Sequence, residues 1–147
     1  MIIPSFFAVT EIELVYRSKQ DARDRPIVGR SRNAYDLFLA SWDMNKIELV
    51  EQFKILLMNN RRACLGISLV STGGITGCMA DPRLVFAIAL KAAATSLILA
   101  HNHPSGNLKP SQGDIAMTEK LKIAGKFLDI MVEDHLIVTP TKYYSFA

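Results

Sequence analysis

The sequence predicts an α/β domain in which helices flank a central mixed β-sheet, so that the chain forms three layers. Apolar runs of strand length alternate with segments whose apolar residues recur at helical spacing. A sheet with helices on both faces has this layered form because each face must be buried. The chain has 147 residues, half of them hydrophobic, with no repeat or low-complexity tract. We therefore expect one domain over residues 1–147, with a tail at 1–8.

The first half of the chain is predicted to hold a strand, a helix and a hairpin. Val9–Tyr16 alternates in part between polar and apolar residues and indicates a strand, which a basic loop follows. Ser31–Trp42 places apolar residues at the spacing of an amphipathic helix, with its first serine near the N-cap. Phe53–Met58 and Ala63–Val70 are apolar runs on either side of a polar turn, which predicts a β-hairpin.

A glycine-rich segment and a helix follow the hairpin. Ser71–Met79 contains three glycines and is expected to be a loop or a bulged strand end. Asp81 is suited to cap a helix with Pro82 at its first position, because the first turn of a helix leaves that N–H unpaired in any case. We expect this helix to run to about Ala94.

A strand, a helix and a second strand complete the chain. Ser96–Ala100 is an apolar run of strand length. The helix that follows is predicted from Ser111 to about Phe127, and a final strand at Ile130–Val138. The α/β prediction rests on this alternation of strands with helices.

The charge of the chain does not identify a partner. The net charge of +3 is too small to predict nucleic-acid binding by itself. The basic loop at 17–32 has only two acids against its basic residues, which are Arg17, Lys19, Arg23, Arg25, Arg30 and Arg32. Such a segment is usually solvated, and this one lacks the interleaved aromatic residues of surfaces that bind single strands. We therefore favour a solvated loop over a phosphate-binding surface.

Cysteine usage and hydropathy favour a reduced, cytoplasmic protein with no membrane segment. Cys64 and Cys78 form neither a close-spaced metal motif nor a disulfide framework. The apolar start of the chain lacks the basic region and the cleavage site of a signal peptide. The longest apolar stretch, Leu84–Ala100, is interrupted by a lysine and by Thr95-Ser96, so it indicates a helix and a strand rather than a membrane span.

The main functional signal is a short window of metal-ligand side chains. It has the pattern H-x-H-x7-S-x2-D, formed by His101, His103, Ser111 and Asp114. Side chains two residues apart on a strand point to the same face, so both imidazoles should project together. Asp114 falls in the first turn of the following helix. Two imidazoles and one carboxylate leave the fourth position of a tetrahedral site open for water, as a catalytic zinc ion requires.

Ser111 and Asp114 also fit a capping box. In that motif the N-cap serine and the acid three residues later satisfy each other's backbone N–H groups. Taken alone, the pair is explained by capping. A cap can nevertheless hold Asp114 at the start of the helix while its carboxylate faces a metal ion, so the two interpretations are compatible.

The same window resembles a known signature. His101-x-His103-x7-Ser111-x2-Asp114 is similar to the JAMM motif of MPN/JAB-domain metallopeptidases, and the string from His101 to Ser111 resembles the RadC family of bacterial proteins more narrowly. Further matches are Asp81-Pro82-Arg83, Asp134-His135-Leu136-Ile137-Val138 and Tyr143-Tyr144-Ser145-Phe146-Ala147. The similarity extends from about Val9 onward. It implies a single JAB/MPN domain with a cytidine-deaminase-like sheet, whereas the N-terminal helix-hairpin-helix region of longer members has no counterpart here.

The resemblance implies a zinc-dependent hydrolase with a glutamate base. In JAMM proteins the base lies upstream of the histidines at the start of a strand, and Glu51 stands where RadC sequences have their Glu-x-Phe. Glu48 is the alternative. The base would take a proton from a metal-activated water and pass it to the departing nitrogen of a peptide or isopeptide bond. Ser111 would donate its hydroxyl to the oxyanion, in competition with its role as a cap.

His135 and Cys78 are expected to have no catalytic role. Asp134 and His135 are neighbours in the last predicted strand, so their side chains should point to opposite faces and the carboxylate should not orient the imidazole beside it. We interpret His135 as a structural histidine. Cys78 lies in the glycine-rich segment with no partner base in evidence.

Three functions remain open. The leading one is a zinc metallopeptidase that acts on peptide or protein substrates. The second is a nucleic-acid-associated protein or a metal-dependent nuclease, since the resembling family is traditionally linked to DNA repair. The contiguous His-Asn-His is, however, unlike the separated residues of an HNH nuclease. The third is a non-catalytic interaction module, which the complete ligand set disfavours. A zinc deaminase is disfavoured because its H-x-E and P-C-x-x-C signature is absent.

Overall fold

The computed structural model describes residues 8–74 and 79–147. Within these ranges the helices and strands are α1 (Ser31–Ser41), β1 (Gln52–Met58), β2 (Cys64–Thr72), α2 (Pro82–Lys91), β3 (Ser96–Asn102), α3 (Gln112–Phe127), β4 (Met131–Val138) and β5 (Tyr143–Ser145). A short 3-10 turn at Ala22–Asp24 precedes α1.

The strands form one mixed sheet in the order β2-β1-β3-β4-β5. β1 is antiparallel to both β2 and β3, β3 and β4 are parallel, and β5 is antiparallel to β4. Parallel strands need a crossover connection, and α3 supplies it between β3 and β4. In the strand order β3 lies in the centre of the sheet, and all of its residues are buried.

Alternate residues of β3 pack against opposite layers. One hydrophobic cluster joins the sheet to α1, and the other joins it to α2 and α3. On β3 the first cluster contains Ile98 and Ala100, and the second contains Leu97 and Leu99. Because side chains alternate along a strand, His101 continues the face covered by α2 and α3, and Asn102 continues the face covered by α1. The prediction of a three-layer α/β fold is confirmed.

The strand predicted at Val9–Tyr16 is wrong. These residues belong to no helix or strand, and the side chains of Val9, Ile12 and Leu14 are 71 %, 90 % and 83 % exposed. The alternation in the sequence is only partial. A strand also needs a neighbour for its backbone hydrogen bonds, and this segment has no paired strand within residues 8–74 and 79–147.

The basic loop at 17–32 is partly ordered by the edge of the sheet. The N–H of Cys64 donates to the carbonyl of Pro26 at 2.8 Å, and the N–H of Val28 donates to the carbonyl of Arg62 at 2.8 Å. Ile27 accordingly forms an isolated antiparallel bridge beside the start of β2. The loop also ends earlier than predicted, because α1 begins at its next-to-last residue.

The helix starts agree with those predicted. The N-cap of α1 is Arg30, so Ser31 lies next to the N-cap as predicted, and Oδ1 of Asn33 accepts from the N–H of Arg30 at 3.0 Å. Asp81 caps α2 as predicted, with proline at the first position. α2 ends at Lys91, before the predicted end, because Ala93 adopts a left-handed φ of 56° that a helix cannot continue through.

The remaining elements follow the prediction with one addition. β1 and β2 confirm the hairpin, and β2 continues to Thr72. Cys78 and its neighbours at 75–78 lie outside the described residues. The strand predicted as final is followed by β5, which pairs with Leu136–Val138 and is too short to be recognised as an apolar run. Among the helices at 8–74 and 79–147, none is long and apolar enough to span a membrane.

Candidate metal centre

Three side chains with metal-binding atoms meet where β3 ends and α3 begins. Nε2 of His101 lies 3.0 Å from Nε2 of His103. The same two nitrogens lie 3.3 Å and 3.2 Å from the two carboxylate oxygens of Asp114. These residues form a group that could hold a metal ion, with all ligand atoms within 4.8 Å of one another. The structure thus brings together the three side chains that the sequence predicts as ligands.

A tight turn after β3 orients the second histidine. The N–H of Gly106 donates to the carbonyl of His103 at 2.9 Å. Gly106 has a φ of 82°, a left-handed conformation that favours glycine. Nδ1 of His103 donates to the carbonyl of Asn107 at 2.6 Å, and a carbonyl oxygen only accepts, so this nitrogen carries the hydrogen. A neutral His103 ring therefore turns an unprotonated Nε2 towards Asp114.

The convergence of these atoms calls for a cation. A neutral imidazole nitrogen and a carboxylate oxygen are both hydrogen-bond acceptors, so two unprotonated rings and an ionised Asp114 would repel one another at these distances. A proton or a metal ion between them turns the repulsion into attraction. Two imidazoles and one carboxylate are a donor set that zinc accepts, so the residues present fit such an ion.

The electrostatics of the group agree with a cation site. Burial opposes ionisation of Asp114, but the two imidazoles beside it, His101 and His103, hold the pKa of its carboxyl well below the ordinary value. The hydrogen bond to Asp114 raises the pKa of His103, against the effect of burial. A proton on His103 therefore stabilises the metal-free group, and metal binding must displace that proton.

Ser111 is the N-cap of α3. Its Oγ accepts from the N–H of Asp114 at 3.0 Å, and Oδ2 of Asp114 accepts from the N–H of Ser111 at 2.8 Å. Both hydrogen bonds of the capping box are present, although the sequence predicted that catalysis would compete with capping at Ser111. The cap uses a lone pair of Oγ, however, and leaves the hydroxyl hydrogen of this exposed residue free to donate.

Glu51 lies beside the histidine–aspartate group, directly before β1. Phe53 of β1 lies opposite His101 of β3 in the sheet, and Glu51 precedes Phe53 by two residues. Strand pairing therefore brings Glu51 close to the candidate ligand His101. The N–H of Glu51 donates to the carbonyl of Gly74 at 3.1 Å, and its carbonyl accepts from the N–H of Gly73 at 2.8 Å. The backbone of Glu51 is therefore held on both sides by the two glycines that follow β2.

The surroundings of Glu51 make it a weaker acid. Burial raises the pKa of its carboxyl, the charges of His101 and His103 lower it, and the carboxylate of Asp114 raises it again. A base whose pKa lies closer to neutral pH takes up and returns a proton more readily. Glu48, the alternative, is exposed and lines the same cavity.

Asn102, which separates the two histidines, contacts the opposite face of the sheet. Its amide is fully buried. Oδ1 accepts from the N–H of Gln52 at 2.7 Å, and Nδ2 donates to the carbonyls of Ile47 and Val50 at 2.7 Å and 2.9 Å. The side chain therefore fastens the segment that carries Glu51 to the strand that carries His101. Sequence reasoning missed this role because the partners are 50 to 55 residues away.

His135 is buried against the site. Its Nε2 lies 2.7 Å from Nδ1 of His101, and its ring stacks on Phe146 at 4.5 Å. Burial holds the pKa of its imidazole well below the ordinary value. The carboxylate of Asp134 accepts from the backbone N–H of His135 and not from its ring, as the strand geometry predicts. The sequence interpretation of a structural histidine therefore missed its direct contact with His101, a candidate ligand.

Two cavities open beside the histidine–aspartate group. They have volumes of about 790 Å³ and about 620 Å³, and both are lined by Glu51, His103 and Ser111. The larger extends along the loop at 104–112, and the smaller along the first two turns of α3. A substrate therefore has access to the histidine–aspartate group and to both polar side chains beside it.

This sheet, with a His-x-His pair at the end of its central strand and an aspartate at the start of the next helix, is the arrangement of a JAB domain. The chain belongs to the family of RadC-like JAB domains, whose model matches residues 28–147. The resemblance to the RadC family is confirmed, and the match begins at Val28 rather than near Val9.

The relatives carry a family name and no activity. A UPF0758 protein of Flavobacterium johnsoniae is 52 % identical over 97 residues, which cover 66 % of this chain and 42 % of that protein. UPF0758 proteins of Alkaliphilus metalliredigens and Moorella thermoacetica are 42 % and 43 % identical over 95 residues, or 65 % of this chain, and 41 % and 42 % of their own length. The chain thus spans less than half the length of the relatives it matches.

Proposed function

We propose that this chain is a zinc-dependent metallohydrolase that cleaves peptide or isopeptide bonds. The observation that carries the proposal is the meeting of His101, His103 and Asp114 within hydrogen-bond distance, beside the carboxyl of Glu51 and at the junction of two open cavities. Acid–base groups beside a candidate metal site in a cleft are the features expected of a hydrolytic centre.

The roles of the residues follow from their chemistry. When bound, a zinc ion supplies a Lewis acid that polarises a carbonyl and acidifies water. His101, His103 and Asp114 would hold the ion. Glu51 would receive the proton of the attacking water and return it to the departing nitrogen, so it must be ionised at the start of each turnover.

Ser111 would stabilise the negative charge that develops on the substrate carbonyl. Its Oγ accepts from the backbone while its hydrogen remains available, so the residue can cap α3 and donate to an oxyanion at the same time. The two tasks use different parts of one hydroxyl and do not exclude each other.

Metal analysis tests the site. Wild-type protein incubated with zinc and dialysed is expected to retain about one ion per chain, the number that one such ligand set holds. His101→Ala, His103→Ala and Asp114→Ala should each lose it. Stoichiometric zinc in all three variants would refute this ligand set.

Activity assays on a Glu51→Gln variant test the reaction. The variant should keep zinc and lose hydrolysis of a peptide panel by about 10²- to 10⁴-fold, the contribution of a positioned acid–base group. Glu48→Gln is the matched control, because it makes the same change in an exposed residue of the same cavity. Full activity of the Glu51 variant would transfer the role to Glu48 or to solvent.

Single-stranded and duplex DNA belong in the same panel. Cleavage of DNA and not of peptides, with the same dependence on Glu51, would show a metal-dependent nuclease instead. We favour the peptidase, since Arg23 and Arg32 of the basic loop are each paired with an aspartate, Asp21 and Asp36, which leaves less unpaired positive charge for phosphates. Zinc binding with no hydrolysis of either polymer would indicate a non-catalytic module.

A further inference from the structure

A chain of hydrogen bonds leads from His101 back to the helix that carries Asp114. His135 lies on β4, next to β3, and its Nε2 is 2.7 Å from Nδ1 of His101. Its other nitrogen, Nδ1, is 2.6 Å from Oγ1 of Thr118 on α3. The Thr118 hydroxyl is in turn 2.7 Å from the backbone carbonyl of Asp114. All four residues are buried.

The direction of each bond in this chain is determined by chemistry. A carbonyl oxygen only accepts, so the one hydroxyl hydrogen of Thr118 is donated to Asp114. Oγ1 must then accept from Nδ1–H of His135. His135 is fully buried, and its two ring nitrogens contact a hydroxyl and an imidazole rather than a carboxylate that would stabilise a second proton, so the ring carries a single N–H. Its Nε2 therefore accepts, and the donor is Nδ1–H of His101. His101 is left with its lone pair on Nε2, the atom that faces Asp114.

We propose that Thr118 and His135 are positioning residues that hold His101 in the tautomer able to bind a divalent metal through Nε2. The inference rests on the metal site of the proposed function and does not depend on peptidase activity. The partner of a metal-bound histidine orients its ring and fixes which nitrogen is free. Here the partner is His135, which is held through Thr118 by the backbone carbonyl of Asp114 on α3. Helix α3 therefore positions the Asp114 carboxylate and also determines which nitrogen of His101 is free.

Removal of the Thr118 hydroxyl should reverse the direction of the hydrogen bond between His135 and His101. In Thr118→Val the shape is conserved but Nδ1–H of His135 has no acceptor, and a buried unpaired donor is costly. Moving the hydrogen to Nε2 of His135 removes that cost only if Nδ1 of His101 becomes the acceptor. Nε2 of His101 then carries the hydrogen and is blocked for metal binding. Thr118→Ser keeps the hydroxyl and is the matched control.

The first measurement is made on the metal-free protein. Long-range ¹H–¹⁵N spectra of histidine rings report which nitrogen is protonated. We expect wild type and Thr118→Ser to show His101 protonated on Nδ1, and Thr118→Val to show it protonated on Nε2 or as a mixture. His103 is an internal reference, because the hydrogen bond from its Nδ1–H to the carbonyl of Asn107 involves none of the substituted residues. A wild-type His101 with hydrogen on Nε2 would overturn the proposal.

The second measurement is zinc affinity, by competition with a chromophoric chelator on the full chain. Thr118→Val should bind zinc about 10- to 100-fold more weakly than wild type, the usual effect of losing such a partner, and Thr118→Ser within about 3-fold of it. His135→Gln, whose carbonyl can still accept from His101, should retain more affinity than His135→Leu. Equal affinity of folded wild type, Thr118→Val and His135→Leu would refute the proposal. Failure of wild type to bind zinc would refute the metal site. The tautomer of His101 in the metal-free protein would still show whether the hydrogen bonds run in the proposed direction.

Discussion

Ser111 and Asp114 hold each other at the first turn of α3. Each side chain accepts a hydrogen bond from the backbone N–H of the other, at 3.0 Å and 2.8 Å. Oδ2 of Asp114 takes part in this box and also lies 3.2 Å from Nε2 of His103. Oδ2 of Asp114 therefore takes part both in the helix cap and in the candidate metal site. The capping box thus fixes the position of a candidate ligand.

Substitution of Ser111 separates capping from catalysis. Ser111→Ala removes both the acceptor and the donor and should cost about 1 kcal/mol of folding free energy. Ser111→Gly also lacks the hydroxyl, but glycine is tolerated at an N-cap at a cost of only a few tenths of a kcal/mol. If Ser111 donates to the oxyanion, both variants should lose about 10²- to 10³-fold in kcat. The measurements are chemical denaturation and peptide hydrolysis.

Ser111→Thr is the control for these variants, since it keeps a hydroxyl that caps and donates. It should be close to wild type in stability and retain most of the activity. A glycine variant with wild-type turnover would limit Ser111 to capping.

The amide of Asn102 leads to a prediction about the base. Asn102→Asp keeps the shape but cannot donate to the carbonyls of Ile47 and Val50, which hold the segment before Glu51. Each buried group left without its partner costs about 1–3 kcal/mol. We expect a loss of stability in that range or above it, together with a lower kcat. Zinc affinity should stay within about 3-fold of the wild-type value.

The control for the Asn102 variant is Asn60→Asp, which makes the same chemical change in an exposed residue of the hairpin turn. It should alter neither stability nor kcat. A folded Asn102→Asp protein that binds zinc weakly but keeps the activity of its zinc-loaded fraction would show that Asn102 acts on the ligands rather than on the base.

Local signals explain how much of the site could be predicted from sequence. His101, His103 and Asp114 lie in one window, on a strand and a helix that each have clear boundaries, so their relative positions follow from short-range geometry. His135 and Asn102 acquire their roles from strand pairing. The parallel register that sets Leu99 opposite His135 brings the third histidine to the site, and periodicity within one segment cannot show it.

The same distinction explains the error at the start of the chain. Alternation in Val9–Tyr16 is a local pattern, but a strand is stable only beside another strand. β5 is the opposite case. It has too few residues to form a pattern, yet it is a strand because the edge of β4 accepts its backbone hydrogen bonds. Strand prediction thus succeeded for the long, buried runs and failed where pairing decides.

Gly125 of α3 should not tolerate a side chain. A Cβ at this position would clash with the backbone oxygen of Ile130 and press on Val132 and Phe86. Backbone cannot move aside as a flexible side chain does, so Gly125→Ala should destabilise the protein by about 1–3 kcal/mol or more, the usual cost of overpacking. Thermal unfolding of the metal-free protein measures this.

Gly113 provides the control on the same helix. A Cβ there would lie 3.7 Å from Oγ of Ser111, an ordinary contact. Gly113→Ala should therefore be neutral or stabilising by up to about 1 kcal/mol, because alanine is the better helix former. Equal stability of the two alanine variants would contradict the close approach of α3 to the start of β4.

The raised pKa of Glu51 predicts how its substitution affects stability as pH changes. Burial raises the pKa of this carboxyl in the folded protein, with His101 and His103 opposing the shift and Asp114 adding to it. The folded state thus holds the proton more tightly than the unfolded state, whose pKa is about 4.3. This contribution to stability is complete below pH 4 and is lost as the pH rises through the folded-state pKa.

Glu51→Gln removes the charge that the folded protein stabilises poorly. In the metal-free protein its Tm should match that of wild type below about pH 4 and exceed it at neutral pH, by calorimetry in the presence of a chelator. Glu48→Gln should give little difference at either pH, because its charge is solvated. A Glu51 variant that is less stable than wild type at neutral pH would contradict the sign of this shift. A higher Tm of the Glu51 variant at neutral pH would mean that the carboxylate of Glu51 lowers the stability of the protein. Such a cost is expected of a residue that has a functional role.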